Sequence, residues 1–114
     1  MDYLAAVRHV ILELGSEDYY HLADAAAYLP MVPADQRHAA AREAMLQLVE
    51  EGLVGIYYGR HANNDVTAVT ADRAREVLNN PRAWDPESDV NGLSHCFLNT
   101  DRGDAVYFSG RTGE

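Results

Sequence analysis

The stretch "AAAREAMLQLVEEGLVGIYYGRHANNDVTAVT", Ala39 to Thr70, constrains the fold more than any other part of the chain. Its hydrophobic period changes once. Ala41, Met45, Leu48 and Val49 recur at helical spacing up to Gly52. Beyond it, "LVGIYYG" and "VTAVT" are β-branched and aromatic runs around the polar loop "RHANND". Such a switch reads as a helix ended by a left-handed glycine and followed by a β-hairpin. Helices and short strands in one small chain make the fold class α+β.

The flanking residues extend this pattern. Leu4, Val7, Val10, Ile11 and Leu14 predict a first helix over Asp2 to Leu14, with Asp2 as N-cap and Gly15 as its stop. "YYHL" reads as a very short strand, and a second helix runs from about Ala23 to Tyr28, ahead of Pro30. "LPMVP" makes a turn, with Pro33 fitting the start of a third helix over Ala34 to Glu51. Thr70 caps a fourth helix, "ADRAREVLNN", which Pro81 closes. "PRAWDPESDVNG" is a loop pinned by Trp84. "SHCFLNT", the turn "DRGD" with Asp101 and Gly103, and "AVYFS" predict a C-terminal β-hairpin, with "GRTGE" as a frayed end. With no internal repeat, residues 1–114 read as one domain: a core over 1–70, a helix over 71–80, a loop over 81–92 and a hairpin over 93–110.

The order helix, strand, helix, helix, strand, wing, strand resembles the winged-helix (winged helix-turn-helix) superfamily over residues 2–70. The residues that carry the resemblance are "LADAAAYLP" and "AAAREAMLQLVEEGLVGIYY". The later "EVLNNPRAWDP" and "CFLNTDRGDAV" are similar to small bacterial proteins with a winged-helix start. The resemblance implies three helices plus a small antiparallel sheet with a wing, to which a helix and a hairpin are added. In a DNA-binding member, the exposed side of the third helix reads base edges and the wing meets the backbone. A transcriptional regulator of this kind would use Gln36, Arg37, Arg42, Arg60 and His61 here.

Charge argues for a different partner. Eighteen acidic residues outweigh nine arginines, there is no lysine, and the formal net charge is -9. A phosphate backbone is held by cations, and a site with three arginines binds it weakly at physiological salt. On a helical wheel the third helix turns Gln36, Ala39, Ala40, Glu43, Gln47 and Glu50 away from its buried stripe, and that face has no basic residue. A basic protein suits this surface better. The expected contacts are an acidic rim, Glu13, Glu17, Asp18 and Asp24, and a second face, Glu43, Gln47, Glu50 and Tyr58. Small size and acidity together suggest an immunity or antitoxin type of protein.

No catalytic set is legible, so the expectation is a non-enzyme without cofactor or metal. The five histidines show no metal-ligand spacing; His21 and Asp24 read as an exposed polar pair. His95 and Cys96 are strand neighbours that point to opposite faces, with Cys96 inside and His95 on the outer face. Cys96 is the single cysteine, so an intrachain disulfide is impossible. No apolar run approaches the roughly 20 residues of a membrane span, and the opening "MDYLAAVRHV" has an acid where a secretory leader has basic residues. The expected location is the cytoplasm; the oligomeric state is left open.

Overall fold

The computed structural model describes residues 3–60, 65–85 and 93–112. It is an α+β fold with a four-stranded antiparallel sheet in the order β1-β4-β2-β3. The elements are α1 (Leu4–Glu17), β1 (Tyr20–His21), α2 (Leu22–Ala27), α3 (Arg37–Glu50), β2 (Val54–Arg60), β3 (Asp65–Ala68), α4 (Ala71–Leu78), β4 (Ser94–Asn99) and α5 (Asp101–Thr112). One core joins helices and sheet: Val7 and Ile11 of α1, Ala41, Met45 and Leu48 of α3, Ile56 of β2 and Phe97 of β4 are all 1% exposed or less.

Local signals account for most of these elements. The predicted stripe of α1 is the one that packs, although the helix continues past Gly15 to Glu17. Asp2 lies outside the described residues. In α3 the run begins one short 3-10 turn late, over Ala34–Gln36 after Pro33. Gly52 ends α3 at φ 75°, a left-handed position without penalty for glycine. Thr70 caps α4, its Oγ1 accepting from the Arg73 amide at 3.2 Å. Pro81 opens a 3-10 turn through Trp84, whose indole donates to the Leu78 carbonyl at 2.9 Å. That bond ties the buried Trp84 ring to the end of α4 and occupies a terminal carbonyl of the helix.

The C-terminal hairpin expected over 93–110 is replaced by a strand and a helix. β4 is the predicted first strand, but "DRGDAVYFS" is helical and forms the start of α5. Thr100 is the reason locally. Its Oγ1 accepts from the Gly103 amide at 3.1 Å and its carbonyl from the Asp104 amide at 3.0 Å, which closes a first helical turn. Asp101 and Asp104 then lie at the positive end of the helix, where carboxylates are favoured. The buried positions 103 and 107 are four apart, a helical spacing.

β4 is therefore not an edge hairpin strand. It lies between β1 and β2, pairing Tyr20 with Phe97 on one side and Ile56 with Phe97 on the other. The segment 2–70 does not close its own sheet; β4 from outside that segment bridges it.

α5 docks through a close approach of backbones. A Cβ built at Gly103 would lie 1.9 Å from the Leu53 carbonyl oxygen. In a solvated helix, Gly→Ala stabilises by about 1 kcal/mol. At Gly103 the sign is expected to reverse: Gly103→Ala lowers unfolding stability by roughly 1–3 kcal/mol, the usual cost of overpacking. Chemical denaturation of the purified variant measures this, and an increase in stability would be incompatible with α5 in its docked position.

Candidate functional site

The third-helix face is the first place to look. Gln36, Glu43 and Glu50 are exposed and seven residues apart, which aligns them along one stripe. Glu50 lies 3.7 Å from Arg75 of α4. Gln47 is half-buried, its side-chain oxygen accepting from Arg8 of α1 at 2.9 Å. The same guanidinium grips both carboxylate oxygens of Glu51, at 2.5 and 2.8 Å. Gln47 is thus part of the α1–α3 joint rather than a free contact residue.

Of the arginines expected to meet phosphate, Arg37 is engaged locally. The Arg37 Nε–H is shared between the Leu29 and Val32 carbonyls, both at 2.9 Å. Leu29 and Val32 are buried to 1% exposure or less, so this guanidinium locks the turn between α2 and α3 onto the core. Arg42 is half-buried on α3 and Arg60 is exposed at the end of β2. His61 lies outside the described residues.

Beside Arg37 the same turn exposes two large apolar side chains, Tyr28 at 54% and Met31 at 39%. Asp35, Gln36, Ala39 and Glu43 continue this exposed surface along the chain. The sequence ends the second helix at Tyr28 and makes "LPMVP" a turn, which leaves the exposure of Tyr28, Met31 and Val32 undecided. Leu29 and Val32 anchor; Tyr28 and Met31 project.

The acidic rim is largely committed to local structure. Asp18 accepts from the Tyr19 amide at 2.7 Å, and Glu17 accepts from the Tyr20 hydroxyl at 3.1 Å, which raises the phenol pKa above its ordinary value. His21 and Asp24 are not an exposed pair. The His21 ring is buried, and its Nδ1 accepts from the Ala23 amide at 3.0 Å while Asp24 accepts from the His21 amide at 3.2 Å. Together they form a capping box for α2, with histidine in the role usually held by serine or threonine. Glu13 is exposed on α1.

Tyr57 and Tyr58 do point to opposite faces, with an outcome that burial alone would misassign. Tyr57 is half-buried against Tyr19, edge to face at 5.3 Å, on the face it shares with Cys96. The exposed Tyr58 belongs to the face of Ile56 and Phe97, the core side, and so does His95 across from it. His95 therefore sits at the end of the core-facing row, not on the outer face; their ring centroids are 4.6 Å apart. Val69 and Arg73 close a depression of about 340 Å³ around this pair. The hairpin brings Val69 there, its amide donating to the Ile56 carbonyl at 2.9 Å, and α4 adds Arg73 from its first turn.

Among the described residues, no group of three His, Cys, Asp or Glu side chains is placed to hold a metal ion, and no helix is long and apolar enough to cross a membrane. Cys96 is fully buried, and burial pushes its thiol pKa up to about 12. The thiolate is the reactive form, so the native protein is expected to leave a thiol-exchange reagent unreacted at pH 8 and to titrate one thiol after denaturation. Rapid native labelling would contradict this burial.

The Arg8 hydrogen bond holds the Glu51 carboxyl below its ordinary pKa, and Arg8 is correspondingly raised. A carboxyl with a lowered folded pKa stabilises the fold above its unfolded value, and that contribution is lost as pH falls through the folded value. The stability gap between the native protein and Arg8→Gln is thus widest at neutral pH and narrows below the carboxylate range. Urea unfolding across pH measures the gap; a constant gap would assign it to packing alone.

No protein-family model matches the chain, and no curated protein or solved structure matches it.

Proposed function

We propose that this chain is a non-catalytic protein-binding domain of the immunity or antitoxin type, taking a basic protein partner on the α2–α3 turn and the exposed face of α3. The scaffold is read as a winged-helix core, helix–strand–helix–helix–hairpin over residues 4–68, to which α4, β4 and α5 are added. Element order supports that reading.

One observation carries the choice of partner. The α2–α3 turn engages the Arg37 Nε–H with its own carbonyls and presents Tyr28 and Met31 to solvent, followed along the chain by the exposed Asp35 and Glu43. Exposed tyrosine and methionine are favoured anchors at protein interfaces. The adjacent carboxylates supply the complementary field that speeds encounter with a basic surface. Phosphates would instead meet acids and an engaged arginine.

Two measurements decide between protein and DNA. The purified domain is expected to show no salt-dependent binding to a random-sequence duplex, even at low ionic strength. It is expected to recover a basic protein from an extract of its own cells, with recovery lost in Tyr28→Ser and Glu43→Arg and kept in Glu13→Arg. DNA binding that weakens with salt and disappears in Arg42→Ala and Arg60→Ala would replace this proposal with a DNA-binding regulator.

A further inference from the structure

Tyr58 and His95 are built into the sheet as core residues but are not covered as such. Along one face the register pairs are Val54 with Asn99, Ile56 with Phe97 and Tyr58 with His95. The first two pairs are 5% exposed or less, whereas Tyr58 is 41% exposed. The inward row runs on past the core at Tyr58. Val69, just beyond β3, and Arg73, in the first turn of α4, form the other walls of the depression.

Each wall has a definite chemistry. The Tyr58 and His95 rings, 4.6 Å apart at 51°, make one wall aromatic, a surface on which a further ring packs at the spacing aromatic pairs prefer. Val69 adds an apolar side. Arg73 supplies a planar fork suited to a carboxylate. Its present partner is Glu76, one turn along the helix at 2.7 Å, with both side chains more than 60% exposed. Such an exposed pair contributes little, so an incoming carboxylate replaces Glu76 at the guanidinium at small cost. The volume, about 340 Å³, lies near the lower limit of small-molecule sites, roughly 300–1,000 Å³.

We propose that this depression binds a small aromatic carboxylate, with its ring against Tyr58 and His95 and its carboxylate on Arg73. The site is independent of the protein surface on the α2–α3 turn, and either can fail without the other. A net charge of -9 works against any anion at long range, so binding depends on the contacts themselves.

Benzoate is the probe, titrated into the full chain and followed by amide and side-chain NMR shifts. Saturable shifts are expected at Tyr58, Val69, Arg73 and His95. Benzylamine, which keeps the ring and reverses the charge, is expected to leave those signals in place, and acetate, which lacks the ring, to bind far more weakly. Arg73→Gln weakens benzoate binding by about tenfold or more, the loss of one charge-assisted contact. Arg73→Lys, which keeps charge without the fork, falls between, and Arg75→Gln on the same helix leaves binding unchanged. Absence of saturation, equal binding of benzylamine, or full retention in a folded Arg73→Gln would each overturn the proposal. Tighter binding of a peptide ending in a free phenylalanine carboxylate would replace the small molecule with a chain terminus.

Discussion

The Asn99 side chain is the joint on which the arrangement of α1, β4 and α5 depends. It is 5% exposed, and its amide nitrogen donates to the Leu12 carbonyl of α1 at 2.8 Å and to Asp104 of α5 at 3.1 Å. Both amide hydrogens are thereby used, one toward each helix. The helices can come so near because glycine stands where they touch the strand. A Cβ at Gly15 would lie 2.3 Å from the Asn99 side-chain oxygen, and Gly103 meets the Leu53 carbonyl. Thr100 adds two further bonds, from its amide to the Leu53 carbonyl at 3.0 Å and from its hydroxyl to the Gly52 carbonyl at 2.7 Å. The end of β4 is thus tied to the α3–β2 connection, to α1 and to α5 at once.

That joint explains why β4 is an inner strand. With its C-terminal end held between two helices, β4 has both edges available to β1 and β2, and Phe97 falls at the centre of the sheet with no exposed surface. β3 is left as an edge, and three of its four residues are exposed. The overhang that exposes Tyr58 follows from the same register: β2 runs on past the core, and Tyr58 stands between His95 of β4 and Thr67 of β3.

The acidity of the chain looks different once its partners are known. Arg8, Arg73 and Arg75 each sit against a carboxylate, and Arg37 against carbonyls. At least three of the nine arginines are thus held by carboxylates within the domain. Three residues of the predicted acidic rim also accept hydrogen bonds locally, Asp24 in a cap, Asp18 from a backbone amide and Glu17 from a phenol. Tyr28 and Met31 are among the large apolar side chains that stay exposed beside this local pairing.

Short-range signals were legible in the sequence because they act within one turn of chain: the stripe of α1, the glycine ending α3, the Thr70 cap and the β2–β3 hairpin all have the predicted form. The His21–Asp24 box and the Thr100 cap are equally local, but histidine is an unusual N-cap and "AVYFS" alternates like a strand, so both were assigned to other roles. Three features had no local signal. Whether Tyr58 or Tyr57 faces the core depends on which strand pairs with β2. Whether Arg37 reaches a partner or its own turn depends on where the Leu29 and Val32 carbonyls point. The neighbours of Gly15 and Gly103 come from 84 and 50 residues away, at Asn99 and Leu53. By itself the sequence determined the elements up to β4, the ends at Gly52 and Thr70 and the sign of the charge, since these follow from backbone geometry and composition. The strand order, the docking of α5 and the side chains left exposed were decided only in the tertiary structure, where long-range packing chooses among faces that local periodicity leaves equivalent.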